Sequence, residues 1–144
     1  MQSATHASEF AHSAPHTAPL SKKRVWAGRI ISGLAILFLV FDAIAKLMKV
    51  APVLEACARL GYPASLAVGI GSLLLACVVV YAIPGTSILG AILLTGYLGG
   101  AVATHVRVSD PFFEMLFPVI FGVLTWAGIF LRDDRLRTFI PLRR

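Results

Sequence analysis

Four long apolar runs, separated by short polar or Pro/Gly-containing breaks, dominate the chain from residue 25 onward. They cover about residues 25–44, 63–83, 86–104 and 112–131. Each is about 20 residues long, enough to cross a hydrocarbon core about 30 Å thick as an α-helix. The pattern predicts an all-α integral membrane protein, a four-helix bundle running up-down-up-down. Pro84-Gly85 leaves room only for a tight turn, so the second and third runs must form an antiparallel hairpin. Pro63 stands where a proline can open the second helix.

The breaks carry their own signals. Residues 45–62 form the longest connection. Pro52 can open a short amphipathic helix bearing Val53, Leu54, Ala56, Cys57 and Leu60, and Gly61 can close it. Glu55 and Arg59 are spaced i, i+4 and would support that helix, which is expected at the membrane surface. His105, Arg107, Ser109, Asp110 and Pro111 make a polar connection between the third and fourth runs. Residues 1–21, rich in Ala, Ser, Thr, His and Pro, read as a disordered tail, and residues 22–144 as the membrane domain. His6, His12 and His16 belong to that tail and read as solvated. A cleavable signal peptide ending near Ala43-Ile44-Ala45 is the rival reading of the first run. The long tail before it and Asp42 beside the would-be cleavage site argue against it.

Composition sharpens this picture. Of 144 residues, 58% are hydrophobic and 14% charged, against about 45–50% and about 25% in soluble domains. So small a chain has too little core to hide that apolar surface from water. The formal charge of +6 does not point to nucleic acid, because the basic residues flank apolar runs and do not interleave with aromatics. Four spans put both termini on one side. That side carries Lys22, Lys23, Arg24, Arg29 and five C-terminal arginines, against Lys46, Lys49, Arg59 and Arg107 on the other. The bias predicts a plasma (inner) membrane protein with cytoplasmic termini. Cys57 and Cys77 have neither disulfide-framework nor zinc spacing. Cys77 reads as a packing residue.

Small and polar residues recur at helical spacing: Gly28, Ser32 and Ala35; Ser65, Gly69, Ser72 and Ala76; Gly96, Gly100 and Ala103; Glu114, Pro118, Gly122 and Thr125. Small residues let membrane helices approach closely, so all four stripes are expected to face the bundle interior. Gly96 and Gly100 also permit a homodimer. An up-down order further brings Asp42, Lys46, His105, Arg107 and Glu114 to one rim. Asp42 and Lys46 are spaced to pair on one face. Glu114, in a helix's first turn, suits the positive end of the dipole and can meet Arg107 or His105. Ionisable residues at membrane depth suggest a ligand site. Their nearness to helix ends equally suits a structural ion-pair lock, since long side chains there reach water. No metal site, cofactor or catalytic constellation is predicted.

The segments Phe41-Asp42-Ala43-Ile44-Ala45-Lys46, Gly61-Tyr62-Pro63, Ile83-Pro84-Gly85-Thr86 and Gly99-Gly100-Ala101-Val102-Ala103-Thr104-His105-Val106-Arg107 resemble the DoxX-like family of four-span membrane proteins, over about Trp26 to Leu142. Members often carry a glutamate near Gly71-Ser72, where this chain has none. The resemblance implies architecture more than chemistry, with links to quinone-dependent redox complexes, assembly factors and receptors. Three functions are therefore expected, in this order: a non-catalytic accessory or scaffold subunit with a membrane protein partner, a quinone- or lipid-binding protein using the polar rim, and a subunit of a redox complex.

Overall fold

The computed structural model describes residues 21–133 and Leu136. The expected disordered tail, apart from Ser21, and most of the C-terminal segment lie outside the described residues. Among those described there are five helices and no strand: α1 (Lys22–Leu47), α2 (Ala51–Arg59), α3 (Leu66–Ala82), α4 (Ser87–Arg107) and α5 (Phe112–Arg132). α1, α4 and α5 are each long and apolar enough to cross a membrane. α3, at 17 residues, sits at the short end of the spanning range of about 17–25. The long helices form a square bundle. α1 packs on α3 and α5, and α4 packs on the same two from the opposite corner.

The outward faces carry large apolar side chains. Leu37 is 69% exposed, Phe41 68% and Phe112 75%. In water such a belt would drive association, whereas lipid tails solvate it. Inside, Leu39, Leu74, Val78, Tyr81, Leu94 and Ile129 form the core. At its centre Tyr81, fully buried, donates its hydroxyl to the Thr125 carbonyl at 2.9 Å and takes one from Ser32 Oγ at 2.9 Å. One side chain thus ties α3 to both α1 and α5 in the buried core, where every polar group needs a partner within the protein.

Helix ends follow the sequence closely at one rim. α1, α2 and α4 each end with paired backbone bonds from the two residues after the cap. These are Lys49 and Val50 to the Lys46 and Ala45 carbonyls, Gly61 and Tyr62 to Ala58 and Cys57, and Ser109 and Asp110 to Val106 and His105. This closure needs a left-handed residue, supplied by Gly61 (φ 74°), Lys49 (φ 50°) and Ser109 (φ 56°). Gly61 therefore ends α2 as its position predicted, and Pro52 sits in the first turn of that helix.

Two expectations need correction. Pro63 does not open α3. It begins a turn whose carbonyl accepts from the Leu66 amide at 3.0 Å, and the helix starts only at Leu66. The stripes of the second and third runs also face away from the core: Ser65, Gly69, Ser72, Ala76, Gly96, Gly100 and Ala103 are exposed, while Ala67, Gly71, Leu74 and Val78 of α3 are buried. Both faces of α3 carry small residues, and the one that meets a neighbour is Gly71. A Cβ there would lie 2.8 Å from the Lys46 Cβ and 3.0 Å from the Ala43 carbonyl. The stripes of α1 and α5 do face inward at Gly28, Ser32, Ala35, Pro118 and Thr125.

Candidate functional site

The three capped helix ends gather the ionisable residues at one end of the bundle, opposite the start of α1 and the end of α5. Asp42 and Lys46, one turn apart on α1, form an ion pair. On α4, His105 sits in the last turn. The left-handed Ser109 turns the chain back so that Asp110 meets it, with the carboxylate 2.6 Å from His105 Nδ1. Asp110 is buried. Glu114, in the first turn of α5, lies 3.9 Å from the same nitrogen.

The cation that joins these acids is Arg59 of α2. Its guanidinium grips Glu114 with two bonds, at 2.6 and 3.3 Å, and its Nε lies 3.6 Å from Asp110. A bidentate fork of this kind is the preferred geometry between arginine and carboxylate. The i, i+4 pairing with Glu55 is therefore not what Arg59 does, and Glu55 is exposed. Arg107 does not meet Glu114 either. It donates to the Leu60 carbonyl and lies over the Tyr62 ring. Tyr62 in turn bonds the Thr104 hydroxyl at 3.0 Å. These contacts fasten α2 and its exit turn to α4 and α5.

Beneath α2 lies a cavity of about 790 Å3, within the 300–1,000 Å3 typical of small-molecule pockets. Val53, Ala56, Cys57 and Leu60 form its roof. Phe38, Phe117 and Phe121 make an aromatic wall, with Phe38 stacked on Phe121 at 4.3 Å and edge-on to Phe117 at 5.2 Å. Cys77 lies at the cavity's deep end, and Pro118 lines it, where its ring leaves no amide to donate to the Glu114 carbonyl. Asp42, Lys46, Tyr97 and His105 supply polar groups. With Nδ1 of His105 held by Asp110, Nε2 is the ring nitrogen left to serve as an acceptor when the imidazole is neutral. Lys46 offers ammonium donors. Among the described residues the Tyr97 hydroxyl has no hydrogen-bond partner.

Of the five predicted site residues, Asp42, Lys46 and His105 line this cavity, and Glu114 and Arg107 brace its roof from outside. Sequence reasoning missed Arg59, Asp110, Tyr62 and Tyr97. Asp110 carried a signal, since an acid five residues after a histidine across a turn can fold back on it. The carboxylates of Asp110 and Glu114 and the His105 ring offer three metal-ligand atoms within 4.8 Å of one another. Arg59 already pairs with both acids, so the set reads as an ion-pair cluster rather than an open cation site.

Apolar outer faces, four stacked helices and a roofed cavity at one end define a multi-pass membrane protein with an internal pocket. The chain belongs to the DoxX-like family, whose sequence profile matches residues 30–128. No curated protein and no solved structure matches the chain.

Proposed function

We propose that this protein binds a small amphiphilic molecule, of the quinone or lipid class, in the cavity under α2. The observation that carries the reading is the cavity itself, with an aromatic wall deeper in and Lys46, Asp42 and His105 nearer the rim. An aromatic or isoprenoid body suits the phenylalanines. A carbonyl or hydroxyl head suits an ammonium donor and an imidazole acceptor. A purely structural accessory or scaffold role calls for no such cavity.

Native mass spectrometry of the protein released from membranes with its own lipids tests this. One tightly held small-molecule adduct is expected, lost when Asp42→Ala and His105→Ala are combined. Unchanged adduct binding in that double variant would end the cavity reading. In the topology we propose, both termini lie in the cytoplasm and the roofed rim faces the opposite side of the inner membrane. It rests on nine basic residues at the termini side against four at the other. Reporter fusions at the two ends should agree on one compartment, and a split result would overturn the arrangement.

A further inference from the structure

We infer that the cavity exchanges its occupant with the bilayer, sideways through the seam between α3 and α4, and that Gly96 and Gly100 form the sill of that opening. The inference rests on the cavity being a binding site, and it names the class of occupant: a molecule already dissolved in lipid, not one arriving from water.

The seams around the cavity differ in how they are closed. Between α1 and α3 the backbones touch at Gly71, with no room for a methyl group. Between α1 and α5 the stacked Phe38, Phe117 and Phe121 fill the gap. Between α4 and α5 runs a separate outer groove, lined by Thr95, Gly99, Gly122 and Trp126 and sharing no lining residue with the cavity; the Trp126 indole donates across it to Thr95 Oγ1 at 2.8 Å, and the His105–Asp110–Glu114 cluster closes the rim. The aqueous end is covered by α2 and clasped by Arg59.

The α3–α4 seam is different. It is tight at its far end, where a Cβ on Gly90 would fall 2.3 Å from the Tyr81 backbone. At the rim it is barred by the Tyr62–Thr104 hydrogen bond. Between those points the cavity-lining side chains stay open, with Leu73 58% and Leu93 42% exposed. A Cβ added to Gly96 or Gly100 would meet nothing within 4 Å. Two residues with no side chain, in a helix that each glycine weakens relative to alanine, bring no other helix of this chain closer. They widen the mouth of the cavity, and the mouth is lined by apolar groups at membrane depth. A lipid-dissolved molecule crosses such an opening without leaving its solvent. A charged, water-soluble one would first have to enter the hydrocarbon.

Cys77, on the cavity wall, is a natural reporter. In protein held in lipid nanodiscs, with Cys57→Ala leaving Cys77 as the single thiol, labelling is measured with N-cyclohexylmaleimide, which partitions into lipid, and with a sulfonated maleimide, which does not. Each rate is divided by that of the same protein unfolded in SDS. The lipid-soluble reagent is expected to react at least ten-fold faster on this scale. Gly96→Leu together with Gly100→Leu should slow it at least five-fold. Gly99→Leu, equally bulky and equally unhindered but outside this cavity, should leave it unchanged. Equal normalised rates for the two reagents, or no effect of the paired leucines in a protein that keeps its helical spectrum, would overturn the lateral route. Native mass spectrometry judges the binding reading separately, since labelling requires no ligand.

Discussion

Replacing Gly90 by alanine inserts one methyl group where α3 and α4 are closest. The ideal position of that Cβ lies 2.3 Å from both Cα and N of Tyr81 and 2.7 Å from its Cβ. Carbon atoms pack at about 3.5–4.0 Å, so the helices must part by more than 1 Å. The obstacle is backbone, which has no rotamer to change. Overpacking of this kind costs about 1–3 kcal/mol, and the rigid neighbour puts Gly90→Ala in the upper half. Tyr81 is fully buried and bonds both Ser32 and Thr125, so any shift also strains two hydrogen bonds, each worth about 0.6 kcal/mol in a membrane protein. The gain in helix propensity, about 1 kcal/mol, offsets part of this. The expected net loss is about 2 kcal/mol, read from reversible unfolding in mixed micelles of rising SDS fraction. Gly33→Ala is the control, because its Cβ meets nothing within 4 Å, and it should be neutral or slightly stabilising. If the two variants unfold at the same SDS fraction, the α3–α4 contact is not as close as described.

Three further outcomes follow from the same geometry. Tyr81→Phe should cost about 1 kcal/mol in the same unfolding assay, since it leaves the buried Ser32 hydroxyl and Thr125 carbonyl without this partner; no loss would mean that water or another group replaces it. Lys49→Gly should stabilise by about 0.5–1 kcal/mol, because Lys49 holds φ 50° at the cap of α1 and glycine adopts that region without penalty; destabilisation would contradict the capping geometry. Glu114→Gln should raise amide hydrogen exchange in α2 by about two- to five-fold, as expected for a half-exposed ion pair worth under about 1 kcal/mol, with α1 unchanged; equal protection in both proteins would show that Arg59 does not hold the roof.

Much of the architecture was legible because it depends on local pattern. The four apolar runs set the membrane helices, Pro84-Gly85 set the hairpin, and Pro52 with Gly61 bracketed α2. Asp42 and Lys46 pair as their spacing required, since both lie on one helix. The partner of Arg59 was not legible. A local candidate, Glu55, stood one turn away, while the actual partners Asp110 and Glu114 come from a connection and a helix about 50 residues later. Which face of α3 turns inward was equally hidden, because Gly69 and Gly71 offer small residues on both faces and only the approach of α1 chooses between them. The cavity is a property of five elements together and leaves no periodic trace. Gly96 and Gly100 stood out in the sequence, but the packing expected of them inside the bundle is not what they do, since no neighbour within this chain comes near them.

Structure determination of the protein in nanodiscs formed from its native membrane tests the central claim most directly. The account predicts non-protein density in the space between α2 and the Phe38–Phe117–Phe121 wall, with a polar end within hydrogen-bonding reach of Lys46 or of His105 Nε2. A cavity filled by rearranged side chains, or holding only water, would contradict it.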